Sequence, residues 1–281
     1  MNLLCGKPIA DEILGRLKSD VSKSAKKPGL AVILVGDNEA SKIYVALKEK
    51  AAAEIGMNFF LHRVSENVSE KEVTSLIEKL NRDDSVHGII VQLPLPAGFD
   101  TEKIISSIDP QKDADGFSAQ GGSALGGQFE NSFKLQPVFP HAILCLIESS
   151  GEELGNKKAI VIANSDEFGK VMVSALEQKS ISAEYIISGE IQRNLGKIVV
   201  TDIVVSAVGS PGLIKGKMLK EGAIIIDGGI SKIDSKVVGD VDFASTEAKS
   251  GYISPVPGGV GPLTIACLLE NTYLAFKRSI S

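Results

Sequence analysis

Val86-His87-Gly88-Ile89-Ile90-Val91-Gln92-Leu93-Pro94-Leu95-Pro96 is the stretch that decides how this chain folds. Residues 86–93 read as a strand, with Ile89, Ile90 and Val91 apolar in succession and therefore on both faces. A strand of that kind belongs in a parallel sheet covered on both sides. Pro94 and Pro96 then end it, since proline has no N–H to give a ladder. Upstream, strand and helix patterns alternate. Ile9, Ile13, Leu14, Leu17 and Val21 mark a helix over 8–24, and Pro28-Gly29 breaks it. Leu30 to Val35 reads as a buried strand, Glu39 to Ile55 as a helix closed by Gly56, and Phe59 to Val64 as a strand. A further helix starts from Ser69, with Glu70 and Lys71 in a charged first turn. The alternation predicts α/β layers.

Downstream, residues 109–117 form a polar, turn-rich loop, and the glycines at 121, 122, 126 and 127 mark a surface excursion. A helix over 138–150 leads into a second run of strands at 158–163, near 183–187, near 199–206 and at 223–227, with a helix after Gly169. This is the pattern of a doubly wound, Rossmann-type dinucleotide-binding domain. The predicted architecture is an N-terminal α/β catalytic domain over 1–137, completed by the C-terminal helix 262–281, and a dinucleotide-binding domain over 138–261. A cleft is expected between them.

A second stiff stretch, Ser254-Pro255-Val256-Pro257-Gly258-Gly259-Val260-Gly261-Pro262-Leu263-Thr264, carries three prolines and three glycines. Alone it reads equally as a rigid turn into the last helix or as a loop whose glycines bring bare backbone to a flat ligand. Paired with the loop at 91–96, it reads as the opposite wall of one cleft.

Composition narrows the function classes. The chain has 281 residues, 43% hydrophobic and 23% charged, which fits a globular protein of about two domains. Thirty basic and thirty-five acidic residues give a net charge of −5 with no basic block, so nucleic acid and anionic membranes are not expected partners. No apolar run reaches the ~18 residues of a membrane helix, and the N-terminus has no signal-peptide pattern. Cys5, Cys145 and Cys267 are widely spaced and do not cluster in sequence with His62, His87 or His141. No metal site is expected, and a reducing cytoplasm is.

Tyr44 and Lys48 stand four apart on the predicted helix 39–55 and so share a face. A solvated lysine beside a half-buried tyrosine is the plain reading. A Tyr-x-x-x-Lys pair also marks short-chain dehydrogenases, but those open on a glycine-rich nucleotide loop and place the pair far downstream. Here the first strand ends in Gly36-Asp37-Asn38 and the pair follows at once.

The order of five motifs resembles one family instead. Tyr44-Val45-Ala46-Leu47-Lys48, Gly88 to Pro96, Lys112-Asp113-Ala114-Asp115-Gly116-Phe117, Gly239-Asp240-Val241-Asp242-Phe243 and the 254–264 loop follow the pattern of bifunctional methylenetetrahydrofolate dehydrogenase/methenyltetrahydrofolate cyclohydrolases, the FolD family. The resemblance runs nearly end to end. It implies that Lys48 handles the proton or water in cyclohydrolysis, Tyr44 stacks on the folate, Gln92 bonds the lysine, and Asp115 holds the pterin's amino edge. Leu93 and the backbone of Pro257, Gly258 and Gly259 would line the same pocket. A homodimer is also implied. A lysine base working near neutral pH needs desolvation or a nearby cation, and the methenyl substrate is itself a cation.

For the cofactor, the resemblance implies NADP on Ala163, Asn164, Ser165, Gly169, Ser188, Ala207, Val208, Gly209 and Ile230. Several positions depart from the family pattern. Ala163-Asn164-Ser165 stands where the family has Gly-Arg-Ser, so the arginine for the 2′-phosphate is replaced by Asn164. Phe168-Gly169-Lys170-Val171 stands for Val-Gly-x-Pro, and Pro137-Val138-Phe139-Pro140 for Pro-Cys-Thr-Pro. Glu190 falls about twenty residues past the loop, where acidic groups bond a ribose 2′-hydroxyl in NAD-binding folds; a solvated loop glutamate is the alternative. These departures predict weakened NADP binding shifted toward NAD. A cyclohydrolase with weak or lost dehydrogenase activity and a non-catalytic folate- or nucleotide-binding protein are the competing readings.

Overall fold

A computed structural model describes residues 1–117, 135–234 and 236–280. The glycine-rich excursion expected at 121–127 lies outside them. The chain forms two compact units: a first of Ala10–Val138 with Ile265–Ser281, and a second of Met1–Ile9 with Phe139–Thr264.

The chain begins with a two-residue strand, β1 (Asn2–Leu3), which pairs in parallel with a strand near the other end of the sequence. Nothing in two residues signals this, and β1 places the N-terminus in the second unit. The helix Gly6–Lys23 follows.

The first unit is built on a three-stranded parallel sheet: β2 (Gly29–Val35), β3 (Asn58–Val64) and β4 (Gly88–Val91), in the order β3-β2-β4. Central β2 is buried at all seven positions, which is why its sequence is unbrokenly apolar. One face of the sheet packs Ala31, Ile33, Val35, Ile89 and Val91 against Val73, Ile77 and Leu80 of the helix Glu70–Asn81. That helix is fixed at its start by a capping box, with Ser69 and Glu72 bonding each other's backbone. The short helix Thr101–Ser106, capped by Asp100, was not legible in the sequence because one and a half turns carry no periodicity. The strand expected over 86–93 is trimmed to 88–91. His87 N–H and Gln92 N–H still bond Gly29 and Ile33 at 2.8 and 2.9 Å, but the turn before and the prolines after it end regular pairing.

The second unit holds six parallel strands: β1, β5 (Lys158–Ala163), β6 (Ser182–Ile187), β7 (Ile203–Ala207), β8 (Ala223–Asp227) and β11 (Ser250–Ile253), in the order β1-β11-β8-β7-β5-β6. The order β6-β5-β7-β8-β11 is a doubly wound one, with its switch point between β5 and β7. A small antiparallel hairpin, β9 (Ser231–Ile233) with β10 (Lys236–Val238), follows β8. The strand expected near 199–206 begins only at Ile203. The preceding residues form the helix Ile191–Ile198, whose Ile191 and Ile198 are buried while Val199 and Val200 emerge exposed. Tertiary burial here overrides the β-propensity of the two valines. Earlier in the chain, the helix that follows β5 begins at Asp166, capped by Ser165, rather than after Gly169. No helix among the described residues is long and apolar enough to cross a membrane.

Candidate active site

The helix Glu39–Ile55 starts on Asn38, whose side chain accepts from the Ser41 N–H at 3.0 Å, and stops at Gly56, which is left-handed at φ 78°. Val45, Ala52 and Ile55 face the core, which leaves Tyr44 and Lys48 half-buried on the next stripe. Gln92 lies one residue beyond β4, with its backbone tied to β2. Parallel pairing of β2 with β4 therefore brings Lys48 and Gln92 together across 44 residues: Lys48 Nζ donates to Gln92 Oε1 at 2.8 Å. Gln92 Nε2 donates to the Leu93 carbonyl at 2.7 Å, which fixes the amide's orientation. Leu93 is half-buried, and the Leu93–Pro94 peptide is cis.

Asp115 reaches the same neighbourhood through an extension of the sheet. Ile89 N–H donates to Lys112 O at 2.7 Å and Ala114 N–H to Ile89 O at 3.3 Å, so the polar 109–117 loop carries an isolated parallel bridge at Ile89 and Asp113. Gly116 turns the chain at φ 74°, and its N–H bonds the buried Asp113 carboxylate at 3.1 Å. Among the described residues, no donor is bonded to the Asp115 carboxylate.

The electrostatics follow from this placement. Desolvation lowers the Lys48 pKa, and the Asp115 charge opposes that shift. Burial raises the Asp115 pKa to about 6, with Lys48 pulling it down and Asp113 adding to the rise. Each group thus finds its charged form less favourable than in water. A lysine of this kind exchanges protons nearer neutral pH than a solvated one, which suits general acid–base work.

The 254–264 loop belongs to the second unit. Ser254 is buried and its Oγ accepts from the Asp227 N–H at 2.8 Å. Gly258, at φ 110°, offers its carbonyl to the Gly6 N–H at 2.8 Å, and the Val256–Pro257 peptide is cis. Pro257 is exposed and Gly258 half-buried. Gly259 is buried within the loop, where a Cβ would meet Pro255 O and Ser254 Cβ at 2.8 Å. Its lack of a side chain serves the loop's own closure.

At the C-terminal edge of the six-stranded sheet, Asn164 follows β5, and its Nδ2 donates to Val208 O, just after β7, at 2.5 Å. This bond spans the switch point where dinucleotides bind in such sheets. Gly209, at φ 77°, has open space around its Cβ position, and exposed Ile230 stands beside it, with the Ile230 carbonyl 3.8 Å from that position. Ala207 and Val208 are half-buried, and Ser188 opens a one-turn 3-10 helix after β6. These residues fit a nucleotide. Gly169 instead packs against β6, where a Cβ would strike the Tyr185 ring at 2.4 Å. The first turn of the helix Asp166–Glu177 carries Asp166 and Glu167, and no cation stands between Ala163 and Gly169. Phe139 packs its ring near Phe168, with centroids 5.7 Å apart, and into the space Gly228 leaves.

Two residues that shape this edge were not singled out from the sequence. Asp240, fully buried, accepts from Ser206 Oγ, Val208 N–H and Ser210 N–H, each at 2.7 Å. Asp227 accepts from Gly229 and Asp240 N–H groups through one oxygen and from Val241 N–H through the other. The fit is reciprocal: a Cβ on Gly229 would hit the Asp240 carboxylate, and one on Gly239 that of Asp227. The signal was the pairing of Asp227-Gly228-Gly229 with Gly239-Asp240.

The fold and the two sites define a two-part α/β enzyme scaffold, with a lysine–glutamine–aspartate set in one unit and a nucleotide-type sheet edge in the other. Residues 4–115 match the family model of the tetrahydrofolate dehydrogenase/cyclohydrolase catalytic domain, and residues 137–280 that of its NAD(P)-binding domain. The chain belongs to the tetrahydrofolate dehydrogenase/cyclohydrolase family. It is 43% identical over 281 residues to the bifunctional protein FolD of Moorella thermoacetica, covering 98% of this chain and 99% of that one. The crystal structure of the bifunctional dehydrogenase/cyclohydrolase FolD from Campylobacter jejuni matches at a TM-score of 0.91 and 39% identity, covering 99% of both chains. The Trypanosoma brucei enzyme, complexed with NADP and an inhibitor, matches at 0.91 and 33%, covering 99% of this chain and 98% of that one.

Proposed function

We propose that this protein is a bifunctional folate enzyme. It oxidises 5,10-methylenetetrahydrofolate to the 5,10-methenyl form with a nicotinamide dinucleotide and hydrolyses that product to 10-formyltetrahydrofolate. The observation that carries this reading is the Lys48 Nζ–Gln92 Oε1 bond beside a carboxylate whose pKa is pushed to about 6, in a chain matched nearly end to end by the family. The bound dinucleotide would accept the hydride. The chain's own residues do the rest. Tyr44 offers a ring face to the folate, Leu93 an apolar wall, and Asp115 an acceptor for the N–H groups of an aminopyrimidine edge. Lys48, oriented by Gln92, moves the proton to or from the water that adds to the cationic methenyl carbon. Proton transfer of this kind needs no metal. The tips of the closing loop, Pro257 and Gly258, are assigned to folate by the family resemblance.

The functional division adopted is 1–137 with 262–281 for folate and 138–261 for the nucleotide, with β1 lent to the second sheet. Ala163, Asn164, Ser165, Ser188, Ala207, Val208, Gly209 and Ile230 are assigned to the NADP-family nucleotide. A second reading, hydrolysis better preserved than oxidation and hydride transfer shifted toward NAD, is favoured by Asn164 and by the acidic first turn at Asp166 and Glu167. A helix N-terminus attracts anions, and two carboxylates there oppose a phosphate. A homodimer in a reducing cytoplasm, with no nucleic-acid or membrane partner, completes the proposal. Apolar Ile233 and Val237, exposed on the hairpin, are consistent with a protein partner.

The test assays both activities separately on one preparation, with NADP and with NAD. Hydrolysis of methenyltetrahydrofolate is expected. Folate binding without hydrolysis would favour the non-catalytic reading, and NADP-dependent oxidation with NADP bound far more tightly than NAD would remove the cofactor shift.

A further inference from the structure

Asn271 lies on the helix Val260–Ser279, in the part that belongs to the first unit, and is 2% exposed. Its Nδ2 donates twice: to the Ala114 carbonyl at 2.9 Å and to the Gln136 carbonyl at 2.7 Å. An amide nitrogen carries two hydrogens, so both are committed. The two acceptors flank Asp115. Ala114 precedes it, and Gln136 abuts the turn that follows it, where a Cβ on Gly116 would meet Gln136 O at 2.6 Å. Asp115 O itself accepts from Val138 N–H at 3.0 Å. The next helix residue, Thr272, fills the space above Gly88, with Ala114 Cβ at its side, and spends its own hydroxyl on Leu268 O. Asn271 is therefore the side chain that ties the Asp115 backbone on both sides to one rigid helix.

We infer that Asn271 is a positioning residue for Asp115, holding its carboxylate in register with Lys48 through the Ala114 and Gln136 carbonyls. It touches neither substrate nor cofactor. A buried amide that only supported packing would affect stability alike whatever stood at 115. One that holds Asp115 in place loses its effect on folate when Asp115 is gone. Loss of the two bonds also leaves both carbonyls to find other donors, and the loop can open to water, which would let the Asp115 carboxyl ionise more readily. Lys48 and Asp113 are the charged groups acting on it from the neighbouring helix and from its own loop.

This inference rests on the folate reading above, so its test has one arm that does not. In the first arm, Asn271→Ala, Asp115→Ala and the double variant are compared for hydrolysis of methenyltetrahydrofolate. Asn271→Ala should raise KM about 10–100-fold, the scale of a small misplacement of a catalytic constellation, and add little on the Asp115→Ala background. In the second arm, the Asp115 carboxyl signal is titrated by NMR in the whole chain without ligand, and Asn271→Ala should move its midpoint toward the ordinary carboxylate range. Should Asn271→Ala fail to fold, Asn271→Ser, which keeps one donor, is read in both arms and should be intermediate. An additive KM effect together with an unmoved Asp115 midpoint would overturn the inference. Absence of hydrolysis in the unsubstituted protein would count against the folate reading alone, and the titration arm would then decide the role of Asn271.

Discussion

Lys48 gives a hydrogen to Gln92 Oε1 at 2.8 Å, while the other end of that amide is held by the Leu93 carbonyl. An ammonium has only donors and a neutral amine keeps two of them, so the oxygen of Gln92 serves both protonation states. The glutamine thereby orients the lysine without adding a charge that would hold its proton on. Gln92→Glu should then raise the Lys48 pKa and move the limb of the hydrolysis profile that Lys48 sets toward higher pH. Gln92→Ala should lower kcat with little shift in pH. A pH–rate profile of both variants checks this, and an unshifted profile in Gln92→Glu would separate the two residues.

Asp115 supplies a second pH effect. Its folded pKa, about 6, lies above the ordinary carboxylate value of 3.8. Between those values the folded protein holds a proton that the unfolded chain has released, so this group's contribution makes stability fall as pH rises from about 4 to 6. Lys48 acts in the other direction. Its folded pKa is lowered, so its contribution raises stability as pH rises through that folded value toward 10.5. Folate affinity, which needs the Asp115 carboxylate, should climb through about pH 6, and Asp115→Asn should flatten that limb in calorimetric titrations.

Asp240 is expected to govern the second unit. Asp240→Ala would strand Ser206 Oγ and the N–H groups of Val208 and Ser210. Each buried donor left without a partner costs on the order of 1–3 kcal/mol. The variant should unfold at lower denaturant and lose nucleotide binding before folate binding. Equal loss of both would place the effect elsewhere.

Asn164→Arg restores a cation at the end of β5. A charge-assisted contact to phosphate is about twice as strong as a neutral one, so NADP affinity should rise relative to NAD. The variant also removes the bond to Val208, so NAD affinity should not improve. Calorimetry with both nucleotides reads the ratio directly, and an unchanged ratio would show that the 2′-phosphate is not met here.

Much of this was legible in the sequence, for physical reasons that differ by element. Long, buried strands such as β2 and β5 announce themselves by unbroken apolar runs, and the helix at 39–55 by Gly56 at its end. Tyr44, Lys48, Gln92 and Asp115 could be named from motif order. The Lys48–Gln92 bond needs the register of β2 and β4, which no local pattern carries. β1 and the β9–β10 hairpin are too short to signal, and the role of Asn271 depends on contacts 135 and 157 residues away. Gly169 and Gly259 looked like places for ligand to approach, yet each is filled by its own neighbours.

The most direct test of the central claim is hydrolysis of methenyltetrahydrofolate by Lys48→Met, measured at saturating substrate alongside folate binding by calorimetry. Methionine keeps much of the side chain's bulk and removes the proton-carrying group. The rate should fall about 10²–10⁴-fold, the usual worth of a positioned acid–base group, while the variant still folds and binds folate. A folded Lys48→Met protein that hydrolyses methenyltetrahydrofolate at the unsubstituted rate would contradict the account.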